Sequence, residues 1–212
     1  MSKICANLHS LLHKGLKFGF SMKYDTFPQN GIYIMFEKGE LGHGGDRIVR
    51  IGTHTGDKEL ENRIFQHFEN ENKNRSIFRK NIGRCILKKS NKQYLSIWDL
   101  DTTRKDDKER HSSLINHTLE KKIEKQISKY IQENISYCLF KVQSKEERKF
   151  FEMRLISTVS GCSECCPSET WLGNLSPKKK IKESGLWQEQ ELYKQPLSDE
   201  ELSALSSFLV QK

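Results

Sequence analysis

The sequence contains little that would place the protein in a membrane or on a secretion route. It has only four prolines in 212 residues, and no run of apolar side chains approaches the ~20 residues that span a bilayer. Residues 1–20 carry leucines at helical spacing, but histidines and lysines interrupt them. They therefore lack the continuous apolar centre and the small-residue cleavage site of a signal peptide. These absences predict a cytoplasmic globular protein without membrane contact.

Several sequence motifs of nucleotide and nucleic-acid binding are also missing. The glycine-rich segment 38–46 lacks the Gly-Lys-Ser/Thr ending of a P-loop, so it does not predict a nucleotide site. We expect a mobile loop there, between two strands. The sequence shows no zinc finger, helix-turn-helix, internal repeat or low-complexity tract. Recognition of a partner is therefore expected from segments outside such modules.

Cysteine occurs six times, but without the spacing of a structural metal site. Three cysteines are scattered among apolar residues, as small buried side chains are: Cys5, Cys85 and Cys138. The other three form a cluster: Cys162, Cys165 and Cys166. The cluster holds one Cys-x-x-Cys step, and a zinc ion would need further ligands from distant segments. We expect free thiols, and a zinc-stapled interaction module built on the cluster is the alternative.

The charge of the chain points towards a polyanionic partner. Lysine and arginine total 36 against 28 aspartates and glutamates, which gives a formal net charge of +8. Six basic residues fall close together: Arg75, Arg79, Lys80, Arg84, Lys88 and Lys89. Ser76 can cap a helix whose apolar residues face inward and whose basic residues face outward. We expect that face to contact nucleic-acid phosphates; a solvated helix face needed for solubility has the same pattern.

Apolar and β-branched runs predict a small sheet. Residues 30–36 and 47–54 have the pattern of consecutive strands, which pair antiparallel across a short connection, and 136–143 add a third core strand. Residues 94–100 also have the pattern of a strand. The predicted fold class is α+β. We expect a single domain, 1–212, with a small central antiparallel sheet of about three strands, flanking helices and a helical insertion.

A helix predicted over 58–70 brings two polar side chains together. Its buried stripe consists of Leu60, Ile64 and Phe68. Arg63 and His67 are also four residues apart, so they lie one turn from each other at the edge of that stripe. Asp57 is expected to cap this helix.

A later helix carries a glutamate among apolar neighbours. It opens with Ser144 and Glu147, the Ser-x-x-Glu pattern of a capping box, and continues through Glu152. Burying an unpaired carboxylate is costly, so Glu152 should face a metal ion, a cation or solvent. Periodicity alone favours a metal-binding and a solvent-facing glutamate equally. A compact loop with Asn174 follows the helix.

Taken in order, these elements resemble the core of the GIY-YIG nucleases. That core has a strand with Gly-Ile-Tyr, a strand with Tyr-Ile-Gly, a helix with arginine, a further strand, a helix with a metal-binding glutamate and a loop asparagine. This chain has Gly31-Ile32-Tyr33 in the first strand and Arg50-Ile51-Gly52 in the second, with Arg50 replacing the second tyrosine. The matching positions are Tyr33, Arg63, His67, Glu152 and Asn174. They are expected to converge with Arg50 on one cleft.

The resemblance implies hydrolysis of DNA phosphodiester bonds with one divalent ion, Mg²⁺ or Mn²⁺, held by Glu152. It implies that Tyr33 deprotonates or orients the attacking water and that Arg63 stabilises charge on the phosphoryl oxygens. His67 would relay a proton to Tyr33 or contact phosphate. Asn174 would fix the surroundings of Glu152 or a backbone phosphate. Arg50, which replaces the tyrosine of the second motif, would add a fixed positive charge near the scissile phosphate. The alternative is that Arg50 is a surface cation on an edge strand.

The resemblance also divides the chain. Residues 30–70 and 136–175 form the expected core, and 71–135 look like an insertion and candidate DNA-recognition segment. Residues 1–29 are expected to be an N-terminal helical arm, and 176–212 C-terminal helices. The implied function is a DNA endonuclease similar to type II restriction enzymes, with a homodimer as a possible state. The alternatives are a DNA-binding protein that keeps the fold without cleavage, and a repair or mobile-element nuclease.

Overall fold

The computed structural model describes residues 2–20 and 27–210; positions 1, 21–26 and 211–212 of the predicted arm and tail lie outside the described residues. The elements are α1 (Ser2–Lys14), β1 (Ile32–Gly42), β2 (Gly45–Gly52), α2 (Leu60–Phe68), α3 (Ile77–Ser90), α4 (Leu95–Trp98), α5 (Lys105–His111), α6 (His117–Asn134), β3 (Ile135–Phe140), α7 (Lys145–Ser160), α8 (Lys179–Ser184) and α9 (Asp199–Ser206). Short 3₁₀ turns lie at Lys92–Tyr94, Ser112–Leu114 and Leu172–Leu175.

The three strands form one antiparallel sheet in the order β2-β1-β3, so the predicted α+β class is confirmed. Because β1 is central, Tyr33 is flanked on both sides, by Gly52 in β2 and by Leu139 in β3. The edge strand β2 contains a β-bulge, in which Val49 has no counterpart in β1. The bulge places Val49 and Arg50 towards the same face of the sheet, where both reach the same apolar core.

Helices cover both faces of the sheet. One apolar cluster packs the even-numbered residues of β1 against α1, α7 and α9, and the other packs Tyr33 and Met35 against α2, α3, α4 and α6. This alternation follows from the period of two along a strand, since successive side chains point to opposite faces. Within the described residues, no helix combines the length and apolar character required to cross a bilayer.

The glycine-rich segment 38–46 is not the mobile loop that the sequence predicted. Strand β1 continues to Gly42, and a two-residue turn at His43 and Gly44 leads directly into β2. Both turn residues have positive φ, 49° and 78°, which matches the twist of a tight hairpin. Near the turn, Arg47 donates to Glu40 at 2.7 Å, and both side chains are buried. Because the two side chains neutralise each other's charge, this charged part of the chain can form buried, paired strand.

The strand predicted over 94–100 is also wrong, because this segment forms a 3₁₀ turn followed by α4. Tyr94 and Trp98 are four residues apart, and both are buried on one side of the helical segment. The Trp98 indole lies against Gly83, where an added Cβ would be 2.9 Å from Nε1, and it donates to the Lys80 carbonyl at 3.0 Å. Packing against α3 therefore overrides the β propensity of the aromatic residues.

Two of the three predicted helix starts are correct. Ser76 accepts a hydrogen bond from the backbone of α3, and Ser144 does the same for α7. Asp57 does not cap α2, because Glu59 occupies the N-cap position without a side-chain bond. The Asp57 carboxylate instead accepts from the Asn30 amide at 2.8 Å, which ties the start of β1 to the loop before α2.

Candidate active site

A buried chain of hydrogen bonds joins β1, α2 and the start of α3. The Tyr33 hydroxyl and His67 Nε2 are 2.8 Å apart, and His67 Nδ1 lies 2.7 Å from Ser76 Oγ. Tyr33 is 1% exposed and His67 is fully buried. Of the two partners predicted for His67, the structure provides Tyr33, while burial separates the ring from any phosphate at the surface.

The His67 ring is neutral at physiological pH. Burial lowers its pKa well below the ordinary value, and the charges of Arg50, Arg63 and Arg79 act in the same direction. A neutral imidazole has one donor and one acceptor nitrogen, so the chain of hydrogen bonds has a direction. If Ser76 donates to Nδ1, then Nε2–H donates to the Tyr33 oxygen; the other tautomer reverses both bonds. In either case His67 fixes the position of the Tyr33 hydroxyl.

Gly52 leaves the space that the Tyr33 ring occupies. The two residues face each other across β1 and β2, and a Cβ added to Gly52 would overlap the Tyr33 hydroxyl and lie 2.9 Å from Cε2. Carbon atoms in ordinary contact are at least about 3.5 Å apart. The glycine of the second motif is therefore required by the close approach of a side chain rather than by backbone conformation.

Arg50 is buried, although it lies on the edge strand. It is 5% exposed, and its guanidinium carbon lies 5.3 Å from the centre of the Phe78 ring. Nη1 donates to the Trp187 carbonyl at 2.7 Å, while the buried Nε has no hydrogen-bond partner. The alternative of a surface cation is therefore wrong. A neutral carbonyl does not cancel the charge of a guanidinium, so Arg50 carries its positive charge inside the protein.

Glu152 extends from α7 to the end of the edge strand. Helix α7 packs on the face of the sheet opposite Tyr33, yet Glu152 Oε1 accepts a hydrogen bond from the Thr53 backbone at 3.1 Å, one residue beyond β2. Burial raises the pKa of Glu152, while the charges of Arg50 and Arg63 lower it. The two arginines thus act on both Glu152 and His67.

Arg63 lines an open depression beside this site. The depression is formed by Thr53, His54, Thr55, Gly56, Glu59, Arg63 and Gln66. Nη1 of Arg63 donates to the Gln66 side chain at 3.0 Å and to the Arg75 carbonyl at 2.9 Å. Both acceptors are neutral, so these bonds orient the guanidinium without neutralising it. A phosphate entering the depression would meet a positioned and uncompensated cation.

Asn174 lies in the expected loop, but its hydrogen bonds are not directed to Glu152. Its amide donates to the carbonyls of Ser168 at 2.8 Å and Glu169 at 3.1 Å, and so closes its own loop. Ser168 in turn contacts Glu40, in the half of the hairpin that lies away from Tyr33. The contacts of Asn174 in the described structure are therefore those of a loop-closing residue.

Two of the predicted DNA-binding residues are buried, which corrects the outward-facing assignment of Arg79 and Arg84. Arg79 is fully buried and forms a salt bridge with Glu124 at 2.7 Å, while Nη1 donates to the His67 carbonyl. Arg84 is 5% exposed and pairs with Asp99 at 2.7 Å. The physical reason is that α3 is covered on more than one side, so its guanidinium groups find carboxylates inside the fold.

The other predicted phosphate contacts differ in exposure. Lys80 donates to the Asp99 carbonyl at 2.8 Å, and burial lowers the pKa of its ammonium group. Lys80 is therefore less available to a phosphate than an exposed lysine. Arg75 and Lys89 are exposed and Lys88 is half-buried. Arg75 lies next to the depression, because its carbonyl accepts from Arg63, and the two lysines lie at the opposite end of α3.

Two residues beside the site were not predicted from the sequence. Gln188 is buried, and its side-chain oxygen accepts from the Ile51 backbone at 3.0 Å, next to the residue whose carbonyl binds Arg50. His54 Nε2 accepts from the Gly31 backbone at 3.2 Å, while Nδ1–H donates to the Gly56 carbonyl. The position of His54 directly after an apolar strand was the available signal; Gln188 gave none, being 137 residues from Ile51.

The comparison with protein families agrees with this arrangement. Residues 2–212 match the family model described as GIY-YIG domain, a match that includes the segment 71–135. No curated protein and no solved structure matches the chain. GIY-YIG domains are typical of nucleases, which hydrolyse the phosphodiester bonds of nucleic acids. The whole-length match, the three-stranded antiparallel sheet and the pairing of Tyr33 with Gly52 lead to one conclusion: the chain belongs to the GIY-YIG domain family.

Proposed function

We propose that the protein is a divalent-metal-dependent endonuclease that cleaves DNA in the cytoplasm. The observation that carries the proposal is the half-buried Glu152 carboxylate within the field of Arg50 and Arg63. The Glu152 carboxylate, held by the Thr53 backbone, and two fixed cations beside an open depression are suited to a negatively charged ester that reacts near a metal ion.

Glu152 fits the role of metal ligand. Oε1 is held by the Thr53 backbone, and within the described residues no hydrogen bond is donated to Oε2. Mg²⁺ and Mn²⁺ accept carboxylate oxygens, and Mg²⁺ commonly keeps several waters and substrate oxygens, so a single oriented carboxylate is sufficient protein ligation. When bound, the ion would supply Lewis-acid stabilisation of the phosphoryl oxygens.

The two arginines would stabilise the charge that develops on the phosphate. Arg63 is oriented by Gln66 and by the Arg75 carbonyl, and it lines the depression that a phosphate would enter. Arg50 contributes from behind, in a buried position where its charge is weakly screened. Both groups are positioned before substrate arrives, which avoids reorganisation during the reaction.

In this proposal Tyr33 acts on the attacking water, and His67 is the residue that positions the Tyr33 hydroxyl. The Tyr33 hydroxyl lies against Gly52, next to Thr53, whose backbone holds Glu152. The hydroxyl and the carboxylate thus meet the same end of β2 from the two sides of the sheet. Tyr33 would orient the water or take its proton, and the neutral His67 would hold the phenol oxygen during that step.

The exposed and half-buried basic residues at the two ends of α3 would position DNA along the helix. Arg75 would contact a phosphate close to the site, and Lys88 and Lys89 would contact the backbone further away. A compact chain with recognition built into the helical segment 71–135 is closest to a type II restriction-like enzyme, and we propose that role, with a homodimer as the cutting unit.

The replacement Glu152→Gln tests the proposal, with Glu147→Gln on the exposed side of the same helix as its matched control. Purified variants are incubated with mixed plasmid DNA and Mg²⁺ or Mn²⁺, and the ends of the products are sequenced. We expect Glu152→Gln to abolish cleavage while DNA binding remains, because it removes a metal ligand and little surface charge. The control should cut like the wild type.

A thermal melt shows whether the loss of cleavage comes from misfolding. Because burial raises the pKa of Glu152 in the folded state, the ionised carboxylate destabilises the fold as pH rises above its unfolded value. Glu152→Gln should therefore be at least as stable as the wild type at neutral pH. Full cleavage by a folded Glu152→Gln variant would refute the assigned role, and a wild type that binds but never cuts would support the non-catalytic alternative.

A further inference from the structure

A second cluster of metal-ligating side chains lies at the far end of the hairpin. It combines Cys5 and His9 of α1, His43 in the hairpin turn and Cys165 in the loop after α7. Their candidate ligand atoms all lie within 4.8 Å of one another. The six cysteines form no disulfide, as expected of free thiols, but two of them meet two histidines that the sequence gave no reason to connect.

Local structure explains why these segments meet. Cys5 and His9 are one turn apart on the buried face of α1, and both are fully buried. His43 has a left-handed backbone, with φ of 49°, in the tight turn, and its side chain reaches the same cluster. Cys165 follows α7 in a short loop and is 3% exposed. Four side chains from three separate segments thus converge in the core.

Two distances between ligand atoms of the cluster are close to the edges of a tetrahedral zinc site, and the others are no longer than 4.8 Å. Zinc binds sulfur at about 2.3 Å and nitrogen at about 2.0–2.1 Å, so tetrahedral edges are roughly 3.8 Å between sulfurs and 3.5 Å between sulfur and nitrogen. Here the sulfurs of Cys5 and Cys165 are 3.6 Å apart, and Cys165 Sγ lies 3.9 Å from His9 Nε2. A disulfide between the same sulfurs would need about 2.05 Å.

Both histidines are oriented in the way that metal-ligating histidines are. His9 Nδ1 lies 3.0 Å from the Cys5 carbonyl, which leaves Nε2 free to bind a metal. His43 Nδ1 lies 3.4 Å from the Glu164 carboxylate, and its Nε2 faces the thiols, 3.2 Å from Cys162. A ligating imidazole usually donates its other N–H to a carbonyl or carboxylate, which fixes its tautomer.

The charge of the set also suits its position. Two thiolates and two neutral imidazoles around Zn²⁺ give a neutral centre, whereas a third thiolate would leave a net negative charge against the apolar core. Cys162 is accordingly a hydrogen-bonding neighbour of His43 rather than an additional ligand.

We infer that Cys5, His9, His43 and Cys165 form a structural Zn²⁺ site that joins the N-terminal helix, the hairpin turn and the loop after α7. The site is separate from the candidate active site. Gly42 and Gly45 close the hairpin nine residues along β1 from Tyr33, a distance on the order of 30 Å in an extended strand. The inference therefore does not depend on the proposed nuclease activity.

The primary experiment measures metal in the wild-type protein. The chain is purified with a thiol reductant and without chelator, and its zinc content is determined by mass spectrometry of the element. We expect about one zinc per chain. After removal of zinc, Co²⁺ should bind and give the intense visible bands of a tetrahedral site with thiolate ligands. A zinc-free wild type that takes up neither Zn²⁺ nor Co²⁺ when reduced would overturn the inference.

Variants then test the ligand set. Cys165→Ser and His43→Gln should lose the zinc, and a thermal melt of the reduced variants shows whether both remain folded. Cys166→Ser is the matched control, since its thiol is exposed and donates to the Ser163 carbonyl, and it should keep the zinc. Cys162→Ser should also keep it; zinc loss in that variant, with retention in His43→Gln, would overturn the assigned ligands.

Discussion

The replacement Gly52→Ala is the sharpest test of the Tyr33 position, because it adds one methyl group at the point where the ring crosses β2. The new Cβ would overlap the Tyr33 hydroxyl and lie 2.9 Å from Cε2. Gly52 does not have a positive φ, so alanine can adopt its backbone conformation without strain. The perturbation is therefore confined to the side chain across the strand pair.

The size of the effect follows from these distances. Cε2 must move by at least about 0.6 Å to reach an ordinary carbon–carbon separation, and the overlapping hydroxyl must move further. A displacement of about 1 Å in a catalytic group can reduce turnover by roughly 10²-fold. The same overpacking should cost about 1–3 kcal/mol of stability, or about 2–12 °C in Tm for a chain of this length.

The assay compares turnover per folded molecule with thermal stability. Gly83→Ala is the matched control, because its added Cβ would also press on an aromatic ring, that of Trp98, away from the candidate active site. Both variants should melt earlier than the wild type. Only Gly52→Ala should lose cleavage at a temperature where both are folded, and its residual activity should approach that of Tyr33→Phe.

Two results would refute this reasoning. Wild-type turnover in Gly52→Ala together with an inactive Tyr33→Phe would show that the hydroxyl position is not set by the glycine. An equal loss of turnover in Gly83→Ala would show that overpacking anywhere in this core reduces activity, and that the site has no special dependence on the ring.

Three further outcomes follow from the same contacts. Arg79→Gln should destabilise the protein by about 3–5 kcal/mol, seen in urea unfolding, because it leaves Glu124 buried without its partner; full stability would contradict the buried pair. On acidification, cleavage should fall before the pH reaches the ordinary glutamate pKa of about 4.3, because burial raises the pKa of Glu152 and the protonated carboxyl cannot hold the metal. A pH–rate profile measures this, and a rate that stays constant down to about pH 4.3 would contradict it. Lys88→Gln and Lys89→Gln should each reduce the slope of log affinity against log salt by about one; an unchanged slope excludes that phosphate contact.

The parts of the fold that could be predicted are those with a strong local signal. The central strand, the helix with Arg63 and His67, and the helix with Glu152 all lie where the periodicity placed them. Their order in the chain matched the family core, and the whole-length family match confirms the assignment. Such elements can be read from the sequence because each buries its own apolar stripe.

The errors come from contacts between segments that are distant in the sequence. The glycine-rich stretch 38–46 forms paired strand with Glu40 buried, and Glu40 accepts a hydrogen bond from Ser168, 128 residues away, as well as pairing with Arg47. Likewise, His9 faces Cys165 only because α1 packs beside α7. The two residues are 156 positions apart in the sequence. Periodicity reports which face of an element is apolar, but it does not report which buried polar groups will meet there.

The same limit explains the basic residues of α3, and it suggests how arginines divide between fold and function in this chain. Arg79 and Arg84 pair with carboxylates, so their charge is compensated and they stabilise the packing of α3. Arg50 and Arg63 are held by neutral oxygens, so their charge remains uncompensated and acts on Glu152. A buried cation without a carboxylate partner is costly, and the fold retains it only where other contacts support it. Among these four arginines, the partner of each guanidinium therefore separates the two that balance a carboxylate within the fold from the two that are held by neutral oxygens.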